Sequence, residues 1–164
     1  MEVPKVRSQK ASAVALIAFL AIFYFRFKIG SFVTANSVGD WYQSLYKAPF
    51  NPPNGAFSPV WIVLYFLMAI SGWLVWRHGK SLAIRIALSL FALQLTMNLG
   101  WSLLFFGIKR IDLALAEMML LLLVVIANTI LFWRIDRLAG ALLVPYALWL
   151  VFAIVLTSYI WVLN

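Results

Sequence analysis

Cysteine is absent from the 164 residues, and histidine occurs once, as His78. Without thiols the chain has no disulfide, no thiolate metal site and no cysteine nucleophile. One imidazole, set in the basic stretch RHGK at 77–80, supports neither a histidine metal cluster nor the activation of a serine or threonine elsewhere. Acids are scarce as well, with five Asp and Glu against thirteen Lys and Arg. Asp40, Asp112, Glu117 and Asp136 are not paired in sequence, and no glycine-rich phosphate loop occurs. Hydrolysis, phosphoryl transfer and redox-metal chemistry are therefore not expected, no metal site or required cofactor is expected, and binding is what remains.

Charge is the other shortage. Only 11% of the residues are charged and 65% are hydrophobic, whereas about a quarter of a soluble protein is charged. The apolar runs are long and unbroken rather than alternating in segments of about 10, which selects membrane-spanning helices over an outer-membrane barrel. The expected fold is an all-α integral membrane protein, a bundle of five transmembrane helices with a long structured loop between the first two. The net charge of +8 is spread through short flanks and loops, so it points to headgroups and orientation and not to nucleic acid.

Residues 1–11 read as a polar basic tail and 12–164 as one transmembrane domain. The first apolar run is about as long as a full span and lacks a small-residue cleavage site, so a cleavable signal peptide is not expected. The spans are expected at about 12–33, 58–76, 81–106, 111–133 and 138–163. Residues 34–57 form the long loop, with Asn36, Gly39 and Asp40 as turn residues. The short turn RIDR at 134–137 joins the last two spans. Lys5, Arg7, Lys10, Arg77, Lys80, Arg85, Arg134 and Arg137 fall on the N-terminal side, and Arg26, Lys28, Lys47, Lys109 and Arg110 on the other. The heavier basic side puts the expected N-terminus in the cytoplasm, with the loop and the C-terminus across the membrane. Five spans also argue against a duplicated inverted-repeat transporter.

Between Trp41 and Trp61 the chain reads WYQSLYKAPFNPPNGAFSPVW. Its prolines, Pro49, Pro52, Pro53 and Pro59, remove backbone donors and push the preceding residues out of helical angles. Pro59 is acceptable in the first turn of span two. Trp41, Tyr42, Tyr46, Phe50, Phe57 and Trp61 give the stretch more aromatic surface than a solvated linker carries. It reads as a lid.

Few polar groups lie within the spans. Arg26 and Lys28 fall in the second half of span one, where a central charge would cost about 2.5–3.5 kcal/mol. Snorkelling to the far interface is the expectation, with a position facing the bundle interior as the alternative. Gln94, Asn98 and Trp101 stand at i, i+4 and i+7 on one face of span three. Such amides commonly tie neighbouring helices together, and they also furnish ligand cavities. Pro145, Trp149 and Ala153 recur every four residues in span five, where a proline kink opens gaps and a tryptophan opposite an alanine shapes a flat slot. Glu117 lies a turn or two from Lys109 and Arg110, so a salt-bridged or interfacial carboxylate is expected rather than a buried proton carrier. Ala83 and Ala87 offer a small-residue seam for a second copy.

Three blocks, WYQSLYKAPFNPPNGAFSPVWIVLYFLM, FALQLTMNLGWSLLFFGIKR and LVPYALWLVFA, in that order and spread over about 30–161, resemble the TspO family of tryptophan-rich sensory proteins and mitochondrial translocator proteins. The resemblance implies a five-helix bundle, usually a homodimer, with a pocket under the first long loop that binds porphyrins, haem-related tetrapyrroles and, in eukaryotic members, cholesterol and drug-like ligands. By position it implies ligand contact for Trp41, Tyr42, Phe50, Pro52, Pro53, Gln94, Asn98, Trp101, Trp149 and Ala153. Arg26, Lys28 and Lys47 are the candidates to meet a porphyrin's carboxylates.

The chain departs from that family pattern in places. Phe50 stands where many members have a tryptophan, which removes an indole donor that light-driven porphyrin degradation would use. No basic residue follows Leu156 and Tyr159 in the given sequence, so sterol binding through the family's short motif is not expected. The expected function is a non-enzymatic receptor or carrier for tetrapyrroles in the bilayer. A light- and oxygen-dependent porphyrin-degrading enzyme and a structural membrane subunit are the alternatives.

Overall fold

The computed structural model describes residues 9–38 and 40–164, and among them every long element is helical. Helix α1 runs Gln9–Val38, a short α2 covers Asp40–Ser44, and α3 spans Asn54–Arg77. Then follow α4 at Leu82–Ser102, a π-helical turn at Leu103–Gly107, α5 at Ile111–Ile135 and α6 at Arg137–Leu163. Five of these helices are long and apolar enough to cross a membrane, and large side chains such as Phe25, Leu123 and Leu148 face outward from the bundle. In water that surface would be costly; in lipid it is the solvated face.

The helices extend further than the sequence indicated. Helix α1 starts by Gln9, inside the expected tail, and continues to Val38 where a loop was expected. The rest of that tail, residues 1–8, lies outside the described residues. Of the expected turn residues, Asn36 and Asp40 are helical, and Gly39 also lies outside them. The proline-rich stretch is non-helical only over 45–53. Pro53 caps α3 with extended angles, φ −56° and ψ 143°, which is where proline's fixed φ suits a helix start. Pro59 consequently sits inside α3 and not in its first turn. Its missing N–H leaves the Gly55 carbonyl without its helical donor, a loss that neighbouring helices make tolerable in membrane bundles.

At the far end of the bundle one residue replaces the expected four-residue turn between α5 and α6. Asp136 accepts from the backbone N–H groups of Leu138 at 2.9 Å and Ala139 at 3.1 Å, capping α6 as soon as α5 ends. Gly140 then lies so close to α5 that a Cβ there would stand 2.7 Å from the Trp133 backbone. The Ser71 hydroxyl donates to the Ala139 carbonyl at 2.7 Å, and the Trp73 indole donates to the Ser12 carbonyl at 2.8 Å, tying α3 to α6 and to the start of α1. At the opposite end Asn164 exchanges two 3.0 Å hydrogen bonds with the Tyr46 backbone. The last residue of the chain is thereby held beside the loop that follows α2.

The main core is built on Met68, Phe91, Met118, Phe132 and Tyr146, all nearly inaccessible. A second cluster at the loop end packs Tyr42 of α2 against Phe105, Phe106, Ala114 and Ile160. Two adjacent inward phenylalanines do not fit an ordinary α-turn. The π-turn supplies the extra residue that lets both point inward, closing with the Ile108 N–H on the Leu103 carbonyl at 2.9 Å.

Three expectations about single residues are corrected here. Arg26 does not snorkel: it is 8% exposed and faces the bundle interior. Glu117 is neither salt-bridged nor partnered, since Arg110 pairs with Asp112 at 2.6 Å and both Glu117 oxygens are buried without a hydrogen bond. Ala87 is fully buried within its own bundle while Ala83 is exposed, so the two do not form one outward seam.

A candidate ligand cavity between the helices

An open space of about 440 Å³ lies between the helices at the loop end. Every long helix and α2 contribute to its wall. From α1, the residues Arg26, Phe27, Gly30 and Thr34 face it. Their spacing of one, three and four residues marks the inward stripe of that helix. Tyr42 of α2 forms part of the roof. Burial raises its pKa above the ordinary tyrosine value.

The walls are aromatic. On α3, Phe57, Trp61 and Tyr65 recur every four residues and line the space. Trp61 lies 5.2 Å from the Tyr65 ring at 31° and 6.5 Å from Trp149 at 81°, while Phe57 meets Trp149 edge-on at 6.0 Å. Across the cavity Trp101 stacks on Phe105 at 5.4 Å, with Phe106 edge-on at 5.8 Å. Such tilted and offset contacts hold rings in fixed orientations and leave flat faces toward the space. Ala153, small beside Trp149, widens the slot on α6.

At its inner end the cavity is polar, and Asn98 organises it. The Arg26 Nη2 donates to both the Asn98 backbone carbonyl at 2.7 Å and Asn98 Oδ1 at 2.6 Å. The Tyr65 hydroxyl donates to the same Oδ1 at 2.9 Å, and Asn98 Nδ2 donates to the Tyr146 hydroxyl at 3.0 Å. Four helices, α1, α3, α4 and α6, thus meet on one amide. Gln94 does not reach the space. It accepts from Asn128 Nδ2 at 3.1 Å and sits 3.9 Å from Met68 Sδ, which is interhelical bonding. The two readings of the 94/98/101 face are divided between its members: Gln94 ties helices, Trp101 walls the cavity, and Asn98 does both.

The remaining candidates separate in the same way. Trp149, Ala153, Tyr42 and Arg26 line the space together with Asn98 and Trp101. Trp41 lies behind the wall, edge-on to Phe105 at 5.5 Å, with the Lys109 ammonium 5.6 Å over its ring. Phe50 is 47% exposed and packs edge-on against Tyr159 at 5.3 Å, away from the cavity. Pro52 and Pro53 shape the turn, Pro52 accepting from Asn51 Nδ2 at 3.0 Å and Pro53 capping α3. Lys28 is exposed against Tyr24 on the outer face. Lys47 rests 4.6 Å over the Tyr42 ring and donates to the Leu45 carbonyl at 3.0 Å. Burial holds its pKa below the ordinary lysine value. Pro145 is exposed on the outer face of α6 and does not line the space.

The stripe Phe57, Trp61 and Tyr65 was not among the expected ligand contacts. Its four-residue period is legible in the sequence, but an expected loop of 34–57 divides it between two elements, whereas α3 begins at Asn54.

Comparison with known proteins agrees with this architecture. The sequence model of the TspO/MBR family matches residues 13–162. The tryptophan-rich protein TspO of Archaeoglobus fulgidus is 37% identical over 150 residues, covering 92% of this chain and 94% of the relative. The tryptophan-rich sensory protein of Cereibacter sphaeroides is 40% identical over 110 residues, 67% of this chain and 68% of the relative. The human translocator protein is 33% identical over 123 residues, 74% and 73% of the two chains. With a match that takes in all five long helices and the cavity they enclose, the chain belongs to the TspO/MBR family.

Proposed function

We propose that this protein is a non-enzymatic membrane receptor or carrier that holds a tetrapyrrole in the cavity between its helices. The names of its relatives, a translocator and a sensory protein, support a membrane sensory or transport role. The observation that carries the finer reading is the wall of the cavity: three indoles, Trp61, Trp101 and Trp149, around about 440 Å³, with the hydrogen-bonded cluster of Arg26, Tyr65 and Asn98 at its inner end. That volume lies within the usual range of about 300–1,000 Å³ for small-molecule sites. Flat aromatic faces suit a flat macrocycle, and a polar end suits its substituted edge.

Porphyrin titration followed by tryptophan fluorescence tests the assignment. Asn98→Leu combined with Trp149→Ala is expected to weaken protoporphyrin binding at least about tenfold, the loss of one stacking face and one buried hydrogen-bonding group. Unchanged affinity would remove this cavity from the function.

One observation favours an enzymatic second reading. Phe50 lies outside the cavity, so its replacement of an indole subtracts nothing from the three tryptophans that line the space. Illumination of the purified protein with protoporphyrin in air separates the readings: a bilin-like absorption that appears only with the intact tryptophans supports degradation, and recovery of unaltered porphyrin supports the receptor.

The protein is further proposed to act as a homodimer, as its family membership suggests, with its N-terminus in the cytoplasm on the balance of basic residues. The absence of cysteine gives a clean background for both points. Lys109 and Arg137 flank the two ends of α5, so impermeant thiol labelling of intact cells should modify a cysteine at 109 and spare one at 137. Crosslinking of single cysteines in native membranes should trap pairs, and a product that stays monomeric at every outward position of α4 and α5 counts against the dimer.

A further inference from the structure

At the polar end of the cavity buried hydrogen-bond donors are left without acceptors, and two of them belong to a cation. Arg26 is 8% exposed and lines the space, yet only its Nη2 is bonded. Its Nε and Nη1 are buried without an acceptor, and so is the Nε1 of Trp101 on the facing helix. Asn98 Oδ1, the side-chain acceptor bound to Nη2, already serves both Arg26 and Tyr65. A guanidinium keeps its charge when buried. The Tyr65 ring, 5.6 Å from the Arg26 guanidinium carbon, offers partial compensation through its face.

Among the described side chains no carboxylate answers this charge. Asp112 is paired with Arg110, Asp136 caps α6, and Glu117 does not line the cavity. A buried cation left with unfilled donors is costly, and its bonds to an anion are among the stronger hydrogen bonds available. Gly30, one helical turn above Arg26, makes room for the group: a Cβ there would lie 2.8 Å from Arg26 Nη1. The position of the guanidinium thus depends on a residue without a side chain.

We propose that the cavity is a receptor for a carboxylate carried on an apolar body, with Arg26 Nε and Nη1 as the paired donors and Trp101 Nε1 as an auxiliary one. The proposal deepens the tetrapyrrole reading and rests on it only for the shape of the apolar part. Its content is selectivity: the free acid is bound more tightly than the neutral ester. A carboxylate with a flat body and one with an acyl chain share this chemistry, so three ligands are needed to tell them apart.

The protein in nanodiscs of neutral phosphatidylcholine is titrated with protoporphyrin IX, its dimethyl ester and oleate, with empty nanodiscs as the partition reference. Protoporphyrin IX is expected to bind at least about tenfold more tightly than the ester, the loss expected for a charge-assisted hydrogen bond. Arg26→Met should weaken the acid alone and bring the two to parity, and Arg26→Lys should retain part of the preference. Gly30→Ala, which displaces the guanidinium without removing it, should reduce the preference while leaving a folded helix.

Equal binding of acid and ester to the unaltered protein overturns the carboxylate site and leaves the tetrapyrrole reading standing. That comparison needs no variant, so it decides even if Arg26→Met does not fold. A preference for the acid that survives in Arg26→Met overturns the assignment to Arg26. If neither porphyrin binds but oleate does, and Arg26→Met abolishes it, the carboxylate site stands and the tetrapyrrole reading falls. If none of the three binds above the empty nanodiscs, both fall.

Discussion

Asn98→Leu is expected to destabilise the bundle by about 3 kcal/mol, a larger effect than any other single polar substitution in it. An average interhelical hydrogen bond in a membrane bundle contributes about 0.6 kcal/mol, whereas a bond to a charged donor contributes about 1.5–3 kcal/mol. Asn98 makes bonds of both kinds. Leucine would keep its backbone carbonyl for Arg26 but would remove Oδ1 from Arg26 and Tyr65 and Nδ2 from Tyr146. Gln94→Leu, one turn away, strands only Asn128 and a weak sulfur contact, so about 1 kcal/mol is expected there. Thermal unfolding in one detergent, with both variants side by side, measures the difference. Equal losses would mean that Asn98 does not organise the polar end of the cavity.

Asn98→Asp carries the same argument to the opposite sign. A carboxylate at 98 could accept from Arg26 and from both tyrosine hydroxyls, so no partner is stranded and an unpaired cation gains its counter-ion. Stability is expected to hold or rise. The internal carboxylate would then occupy the place proposed for the ligand's, and the preference for protoporphyrin IX over its dimethyl ester should fall to about parity. A variant that folds and still prefers the acid is incompatible with Arg26 as the anion's partner.

The second large effect is at Gly140. Gly140→Ala is expected to cost about 1–3 kcal/mol, because the added Cβ would meet backbone atoms of Trp133 at 2.7 Å and backbone cannot turn aside as a side chain can. Helix propensity acts the other way by up to about 1 kcal/mol, which the clash exceeds. Gly100→Ala is the comparison: nothing stands within 4 Å of a Cβ there, so only the propensity gain applies and the melting temperature should hold or rise. The contrast follows from the single-residue connection at Asp136, which starts α6 in contact with α5. If Gly140→Ala melts no lower than the parent protein, the two helices do not approach so closely.

Composition and run length alone determined that this is a helical membrane protein with five crossings, because lipid leaves a chain so apolar few other ways to satisfy its backbone. Three sequence blocks determined its family. The helical spacings put Asn98 with Trp101 on one face of α4 and Trp149 with Ala153 on one face of α6, and all four share one cavity.

Tertiary structure decided what spacing cannot. Gln94 and Asn98 have the same periodic position, and only the neighbours across the bundle divide them into a tie and a cavity wall. The loop aromatics looked like a lid, yet Phe50 turns outward and Trp41 lies behind the wall, while Phe57, Trp61 and Tyr65 do the lining as a stripe of α3. A proline rule places extended backbone but does not say where the next helix begins. Arg26 is the clearest case, because depth along a helix suggests snorkelling and says nothing of azimuth. Burial against Asn98, with two donors left unfilled, became visible only when α1, α3, α4 and α6 were brought together around it.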